Sequence, residues 1–171
     1  MRRMDVIEAI RTRRTVKAFR PDPVPREQLE RILGAARWAP NHRLTQPWRF
    51  RHVGPVALGR LMSASGDEKL LRAPTLVVAS YAPSPLPPHA VEDEQATAAA
   101  IYAVLLAAHA EGVASFWRTP KMLNDQAGRE AVGLPEGERV VGMLSFGFVD
   151  GDEPDTPART LDVAEYVTFL D

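Results

Sequence analysis

Three short segments combine residue types that suit the binding of a small anionic or aromatic molecule. The first is "RTRRTVKAF", residues 11–19, which follows a helical pattern. If this segment is extended, Arg13, Thr15 and Lys17 project to the same side and present two cations and a hydroxyl group to one target, as a phosphate requires. The same residues can instead form the solvated basic end of a helix, where the helix dipole stabilises cations.

The other two segments carry aromatic and amide groups. In the loop "APNHRLTQPWRF", residues 39–50, prolines hold the backbone rigid, and His42 and Gln46 are available for a ligand. The amide of Gln46 has both a donor and an acceptor for the edge of a heterocycle, whereas Trp48 is better explained as a core residue. The segment "FWRTP", residues 116–120, ends an apolar stretch, and ligand sites favour such strand ends.

The composition excludes several classes of protein. The chain has 171 residues of which 45% are hydrophobic, so we expect one domain, residues 1–171, with a substantial core. Its net charge of −1 gives no general attraction to nucleic acid or to an anionic membrane. The absence of cysteine excludes disulfides, thiol nucleophiles and zinc–thiolate sites. Neither a secretory signal nor a membrane-spanning stretch is recognisable, so we expect a cytoplasmic protein.

Hydrophobic periodicity predicts helices that alternate with a few strands. Helices are predicted over 5–12, 26–37, 55–64, 91–111 and 120–131, and strands over 48–53, 75–80, 113–117 and 139–149. The middle of the helix at 91–111 is apolar on all sides, which places it in an interior. The strand at 75–80 is continuously apolar, as in the centre of a sheet. This order is typical of an α+β or a three-layer α/β domain.

Other groups of residues have simpler explanations than a functional site. His89 and the carboxylates at 92–94 could ligate a metal ion, but an acidic helix start explains the carboxylates. Because no second histidine lies at ligand spacing, we predict no metal site. His109 is explained as a core or capping residue. The basic N-terminal residues could form a nucleic-acid arm, but no further basic or aromatic residues support that function.

The order of these segments resembles the nitroreductase family of flavin-dependent oxidoreductases, and most of all its short bacterial branch. The resemblance rests on "RRTVKAF", "AP…QPWRF", a long alanine-rich helix ending in "LLAAHAEGVASFWRTP", then "GFV" and a late arginine. It runs over nearly the whole chain. It implies a three-layer α/β/α fold with a central, mainly antiparallel sheet in an intertwined homodimer. It also implies FMN at the subunit interface, reduced by NADH or NADPH.

The motifs of the family assign cofactor-binding roles to named residues. The basic motif that holds the FMN phosphate, the ribityl chain and the pyrimidine edge of the flavin matches Arg13, Arg14, Thr15 and Lys17. The segment whose backbone runs along the isoalloxazine ring near N5 matches Trp117, Arg118 and Thr119. A late cation that often joins the phosphate site matches Arg159.

The proline-containing loop supplies the remaining matches. Trp38 and His42 fall at or beside positions that reach the flavin from the partner subunit in the short branch. Gln46 opens the "QPW" signature. Leu44 stands where longer members often have an asparagine that contacts the ring, so we expect no ring hydrogen bond from that position.

The resemblance leaves three functional hypotheses. The first is an NAD(P)H-dependent FMN oxidoreductase that reduces nitroaromatics, quinones or other electron-poor molecules by ping-pong hydride transfer through flavin N5. The second is a different flavin reaction on the same fold, such as dehalogenation or enone reduction. The third is a flavin-binding dimer without turnover. Because the flavin carries the hydride, no catalytic side chain is predicted, and the fold alone does not separate the three.

Overall fold

The computed structural model describes residues 4–151 and 160–170, in which five α-helices surround one four-stranded sheet. The α-helices are α1 (Val6–Thr12), α2 (Arg26–Gly34), α3 (Pro55–Ser65), α4 (Pro87–Ala110) and α5 (Gln126–Ala131). The strands are β1 (Trp48–His52), β2 (Thr75–Tyr81), β3 (Ala114–Arg118) and β4 (Arg139–Gly147). Single 3-10 turns are formed by Ala35–Trp38, His42–Leu44, Glu68–Arg72, Lys121–Asn124 and Val163–Glu165.

The sheet has the order β1-β2-β4-β3, and every neighbouring pair is antiparallel. All seven residues of β2 are buried, as the continuous apolar run at this position predicts. Val77 of β2 lies opposite Leu144 of β4, and Phe116 of β3 lies opposite Ser145. The predicted α+β class and the mainly antiparallel sheet are confirmed.

Alternation along β2 divides the core into two halves. Val77 and Ala79 pack on one face of the sheet in a cluster that includes residues of α2 and α4. Leu76 and Val78 pack on the opposite face with residues of α3 and α5. Because successive side chains of a strand point to opposite faces, one sheet serves two apolar layers of helices. The three-layer α/β/α arrangement is therefore confirmed.

The helices differ from their predicted bounds mainly at their ends. Asp5 caps α1, because its Oδ1 accepts a hydrogen bond from the backbone N–H of Ile7 at 2.9 Å. The predicted helix at 26–37 is α-helical only to Gly34 and continues as a 3-10 turn. The long helix begins at Pro87, because proline is favourable in the first turn. Within the described part of the chain, no helix has the length and apolar character needed to cross a bilayer.

An ion pair lies beside β1. His52 of this strand is exposed, whereas Arg51 is partly buried. Arg51 donates two hydrogen bonds to Glu138, with Nη1–Oε2 at 2.7 Å and Nη2–Oε1 at 2.8 Å, and Ser80 donates a third at 2.6 Å. The hydrogen bonds from Arg51 hold the pKa of Glu138 below its ordinary value against the opposing effect of burial. This ion pair explains how a cation is accommodated beside the sheet.

Candidate functional site

The segment after α1 leaves the helix and runs extended beside β3. The α-helix ends at Thr12, and the backbone N–H of Val16 donates to the carbonyl oxygen of Ser115 at 3.1 Å. Thr15 and Ser115 form a parallel bridge. The hypothesis of an extended basic segment is confirmed, and that of a basic helix end applies only to the residues before Arg13.

A cavity of about 540 Å³, which we call the phosphate cavity, lies where the ends of α1 and α4 meet the start of β3. Its lining includes Arg13, Arg14 and Ser115. Within residues 4–151 and 160–170, the buried Nε atoms of both arginines and the buried Oγ of Ser115 have no hydrogen-bond partner. Buried polar atoms are almost always paired in native proteins, so this group requires a partner. Guanidinium and hydroxyl donors suit a phosphate.

His109 closes one wall of the phosphate cavity from the last turn of α4. Its Nε2 lies 2.7 Å from Oγ1 of Thr12, and that hydroxyl donates to the carbonyl oxygen of Glu8 at 2.6 Å. The hydroxyl group of Thr12 thus links Nε2 of His109 to the backbone of α1. The contact joins the end of α1 to α4, in agreement with the structural role expected for this histidine.

A second space, of about 280 Å³, which we call the ring groove, lies beside β3 and the 3-10 turn Glu68–Arg72. Its lining includes Lys17, Phe116 and Arg118. The Nζ of Lys17 lies 5.5 Å from the centre of the Phe116 ring, a favourable cation–π distance. Trp117, between the two groove residues of β3, packs against the core instead. The groove thus combines an apolar ring with cations.

The structure corrects the expectation that three side chains of the basic segment meet at one target. Arg13 lines the phosphate cavity and Lys17 lines the ring groove, whereas Thr15 is exposed. Each cation lies near a different aromatic ring. Lys17 lies near Phe116, whereas Cζ of Arg13 lies 6.0 Å from the ring centre of Tyr102 on α4. The segment therefore connects two neighbouring sites.

Arg118 is fixed at the wall of the ring groove by an ion pair. Its Nη1 donates to Oδ2 of Asp67 at 3.0 Å, and the two side chains are only 17% and 25% exposed. Burial by itself would raise the pKa of Asp67, but the hydrogen bond from Arg118 and the backbone N–H of Lys69 outweigh it, so the pKa is lowered. Asp67 is therefore charged at neutral pH and orients the guanidinium group.

Several residues of the ring groove were missed by the sequence analysis. Lys69, Arg72 and Ser145 line it without having been assigned to the site. Phe116 belongs to the candidate segment at 116–120, and the period-two alternation of β3 places it on the same side as Arg118. The two cations at 69 and 72 lie on a short 3-10 turn that has no distinctive sequence pattern. Their proximity to Lys17 depends on tertiary structure.

The loop at 39–50 has the rigid, irregular shape that its prolines predict. Arg43, Leu44 and Gln46 have positive φ angles of 54°, 53° and 45°, which non-glycine residues rarely adopt. The backbone N–H of Gln46 donates to Oδ1 of Asn41 at 2.9 Å, and Pro47 is buried. Trp48 packs against the core, as expected.

The remaining predicted site residues lie outside the two spaces. Among the described residues, those that line the phosphate cavity and the ring groove do not include Trp38, His42 or Gln46 of the same chain. Trp38 is 83% exposed and Thr119 is exposed. Arg159 lies outside the described residues.

Comparison with known proteins assigns the chain to a family. The model of the nitroreductase family matches residues 10–63 and 55–148, which include the basic segment at 11–19 and strand β3. The chain belongs to the nitroreductase family. A Haemophilus influenzae relative named as an NAD(P)H nitroreductase is 30% identical, over 98% of this chain and 100% of its own. YdjA of Escherichia coli K12, also named as an NAD(P)H nitroreductase, is 31% identical over 84% and 88%.

Solved nitroreductase structures have the same fold. A nitroreductase-like family protein from Bacillus cereus superimposes with a TM-score of 0.87 at 25% identity, over 100% of this chain and 98% of that one. A nitroreductase from Bacteroides fragilis with bound FMN superimposes with a TM-score of 0.76 at 26% identity, over 98% and 100%. The family and the fold predicted from the sequence are confirmed.

Proposed function

We propose that the protein is an NAD(P)H-dependent FMN oxidoreductase that reduces electron-poor small molecules such as nitroaromatics or quinones. The observation that carries this proposal is the phosphate cavity, where Arg13, Arg14 and Ser115 contribute buried polar atoms that lack a partner within the described residues. Relatives named as NAD(P)H nitroreductases and a structural neighbour with bound FMN support the same conclusion. When bound, FMN supplies the hydride chemistry through its N5 atom in a ping-pong cycle.

The protein's part in this reaction is to bind and orient the cofactor. Arg13 and Arg14 would hold the phosphate by charge-assisted hydrogen bonds, with the hydroxyl group of Ser115 as a further donor. Thr15, between the cavity and the groove, would bind the phosphate or ribityl chain. Arg159 belongs to the same proposed phosphate set, although it lies outside the described residues.

The ring groove would hold the flavin ring system. Phe116 supplies an apolar wall, and the backbone of residues 117–119 would run along the isoalloxazine ring. Lys17 and Arg118 place positive charge around the groove, which would stabilise negative charge on a reduced flavin held there. Asp67 limits this effect because it neutralises part of the charge of Arg118. In this proposal no side chain acts as a catalytic acid or nucleophile.

An intertwined homodimer is part of the proposal. Large apolar side chains are exposed on α1 and at the C-terminal end, where Phe169 is 92% and Leu170 is 89% exposed. Exposed apolar side chains of this kind support a contact with another chain. Trp38, His42 and Gln46 would then approach the flavin of the partner subunit. We place the dimer in the cytoplasm, where nicotinamide nucleotides are available.

Anaerobic reduction of the purified protein tests the proposal. We expect a yellow protein with about one FMN per chain, bleached rapidly by NADH or NADPH and recoloured by a nitroaromatic compound or a quinone. A flavin that remains oxidised with both nucleotides would support a flavin-binding dimer without turnover. Rapid bleaching without recolouring by either acceptor would indicate a different flavin reaction. A colourless protein that takes up no FMN would refute the assignment altogether.

Substitution of Arg13 tests the phosphate cavity separately. Arg13→Ala should remove a charge-assisted contact of about 1.5 to 3 kcal/mol and weaken FMN binding at least tenfold, as measured by fluorescence titration. Arg11→Ala is the matched control, because Arg11 is an exposed arginine in the last turn of α1. The control should change the dissociation constant by less than about twofold. Equal effects of the two substitutions would show that Arg13 acts only through general charge.

A further inference from the structure

We propose that His42, His89 and Glu92 form a binding site for a divalent transition-metal ion of the zinc class. One ligand atom from each residue is available, and the three atoms all lie within 4.8 Å of one another. The Nδ1 of His42 lies 2.8 Å from Oε2 of Glu92. The rings of His42 and His89 meet edge to face, with their centres 5.5 Å apart. Two imidazoles and one carboxylate thus converge on one point.

The ligand types determine which ions fit. Imidazole nitrogen and carboxylate oxygen suit Zn²⁺, Co²⁺ and Ni²⁺, whereas Mg²⁺ and Ca²⁺ prefer oxygen ligands alone. Ligand atoms on one zinc ion lie roughly 3 to 4 Å apart, because each is about 2.0 to 2.2 Å from the metal. The side chains of His42 and Glu92 are about half exposed and have room for the small rotations required. Three protein ligands leave a coordination position for water.

The backbone brings the ligands together before any ion binds. His89 and Glu92 are separated by three positions on α4, which places them on the same helix face. The loop that carries His42 is attached to α4 by Asp93, which is 4% exposed. Its Oδ1 accepts from Oγ1 of Thr45 at 2.9 Å, and its Oδ2 accepts from the backbone N–H of Ser84 at 2.8 Å.

This arrangement overturns the reason for predicting no metal site. The missing second histidine is His42, which lies 50 positions before Glu92 in the sequence and is brought to it by the fold. All three ligands belong to one chain, so the site forms without the partner subunit, although the proposed flavin function also uses His42. Because an imidazole has two ring nitrogens, His42 can ligate a metal through Nδ1 and still offer Nε2 to a second group.

Metal titration of the flavin-loaded protein tests the inference. After chelator treatment and with no affinity tag, we expect one Zn²⁺ or Co²⁺ ion per chain by calorimetry, and visible absorption from the bound Co²⁺. An excess of Mg²⁺ should not displace the ion. His42→Ala and His89→Ala should each lower the affinity for Zn²⁺ at least about tenfold.

The chain contains its own control histidine for this experiment. His52 is exposed on β1 and does not belong to the group, so His52→Ala should leave the affinity for Zn²⁺ unchanged. Glu92→Gln keeps the shape of the third ligand and should weaken binding even if an alanine variant at 42 disturbs the loop. Absence of stoichiometric binding, or equal losses for His52→Ala and His89→Ala, would overturn the proposal. FMN content of the His89→Ala and Glu92→Gln variants, measured in parallel, reports on the flavin function independently, because neither residue has a proposed role in flavin binding.

Discussion

Replacement of Gly142 by alanine should disturb the strand that forms the ring groove. Gly142 lies on β4, where it pairs with Ala79 and faces Trp117 of the neighbouring strand. A Cβ atom at this position would lie 2.3 Å from Nε1 of Trp117 and 2.7 Å from the backbone oxygen of Arg118. These separations are far shorter than van der Waals contact, so β3 must move away from β4.

The size of the effect follows from these contacts. Adding a methyl group to a filled core costs about 1 to 3 kcal/mol. Displacement of Trp117 also breaks its hydrogen bond from Nε1 to the carbonyl oxygen of Val141, at 3.4 Å, which contributes about 0.5 to 1.5 kcal/mol. We therefore expect a loss of about 2 kcal/mol or more in the free energy of unfolding. For a chain of this length, that loss lowers Tm by about 4 to 8 °C.

Thermal unfolding followed by circular dichroism, together with FMN titration, tests this prediction. Because the displaced backbone of Arg118 borders the ring groove, FMN affinity should fall along with Tm. Gly59→Ala is the matched control, since Gly59 lies in α3 and no neighbouring side chain comes within 4 Å of the position that its Cβ atom would take. The Gly59→Ala substitution should stabilise α3 by about 0.5 to 1 kcal/mol without changing FMN affinity. An unchanged Tm, or a lowered Tm with unchanged FMN affinity, would refute the reasoning for Gly142.

Two carboxylates give further predictions. Glu138→Gln should lower the free energy of unfolding by about 2 kcal/mol at pH 7, because it breaks the ion pair with Arg51. Since the folded protein lowers the pKa of Glu138 below 4.5, the stabilisation is present above pH 4.5 and is lost as the pH falls through the folded-state pKa. Urea unfolding at several pH values should therefore show that the difference in free energy of unfolding between the two proteins shrinks in acid. A difference that stays constant with pH would contradict the assignment. Asp67→Asn keeps the hydrogen-bond acceptor for Lys69 but removes the charge that neutralises Arg118, so the midpoint potential of bound FMN should become more positive. Arg118→Gln should shift the potential in the opposite direction, and shifts of the same sign would contradict a field effect.

The sequence predicts the fold well wherever local pattern and burial agree. The strand at 75–80 and the helix at 55–64 are found nearly at their predicted positions, because their apolar patterns match their environments. The polar helix predicted at 120–131 is less regular, since the chain turns at Asp125 between a 3-10 turn and α5. Element ends depend on local caps and tertiary contacts, which periodicity does not contain.

The candidate site was predicted where its residues lie in short motifs. Arg13, Arg14 and Lys17 belong to one motif and Arg118 to another, and the structure places all four beside a cavity or groove. Ser115 and Lys69 reach the same spaces from distant segments, so no pattern in the sequence connects them. That residues 1–171 form a single domain, and that Trp38, His42 and Gln46 serve the partner's flavin, remain predictions.

The position of β2 in the sheet determines how fast its backbone amide hydrogens exchange with deuterated solvent. This strand is hydrogen-bonded on both sides and covered on both faces, so its amides can meet solvent only when the whole sheet opens. Their exchange rates therefore measure global unfolding. The amides of the exposed loop that carries Gln46 should exchange by local opening, many times faster, within the same folded molecule.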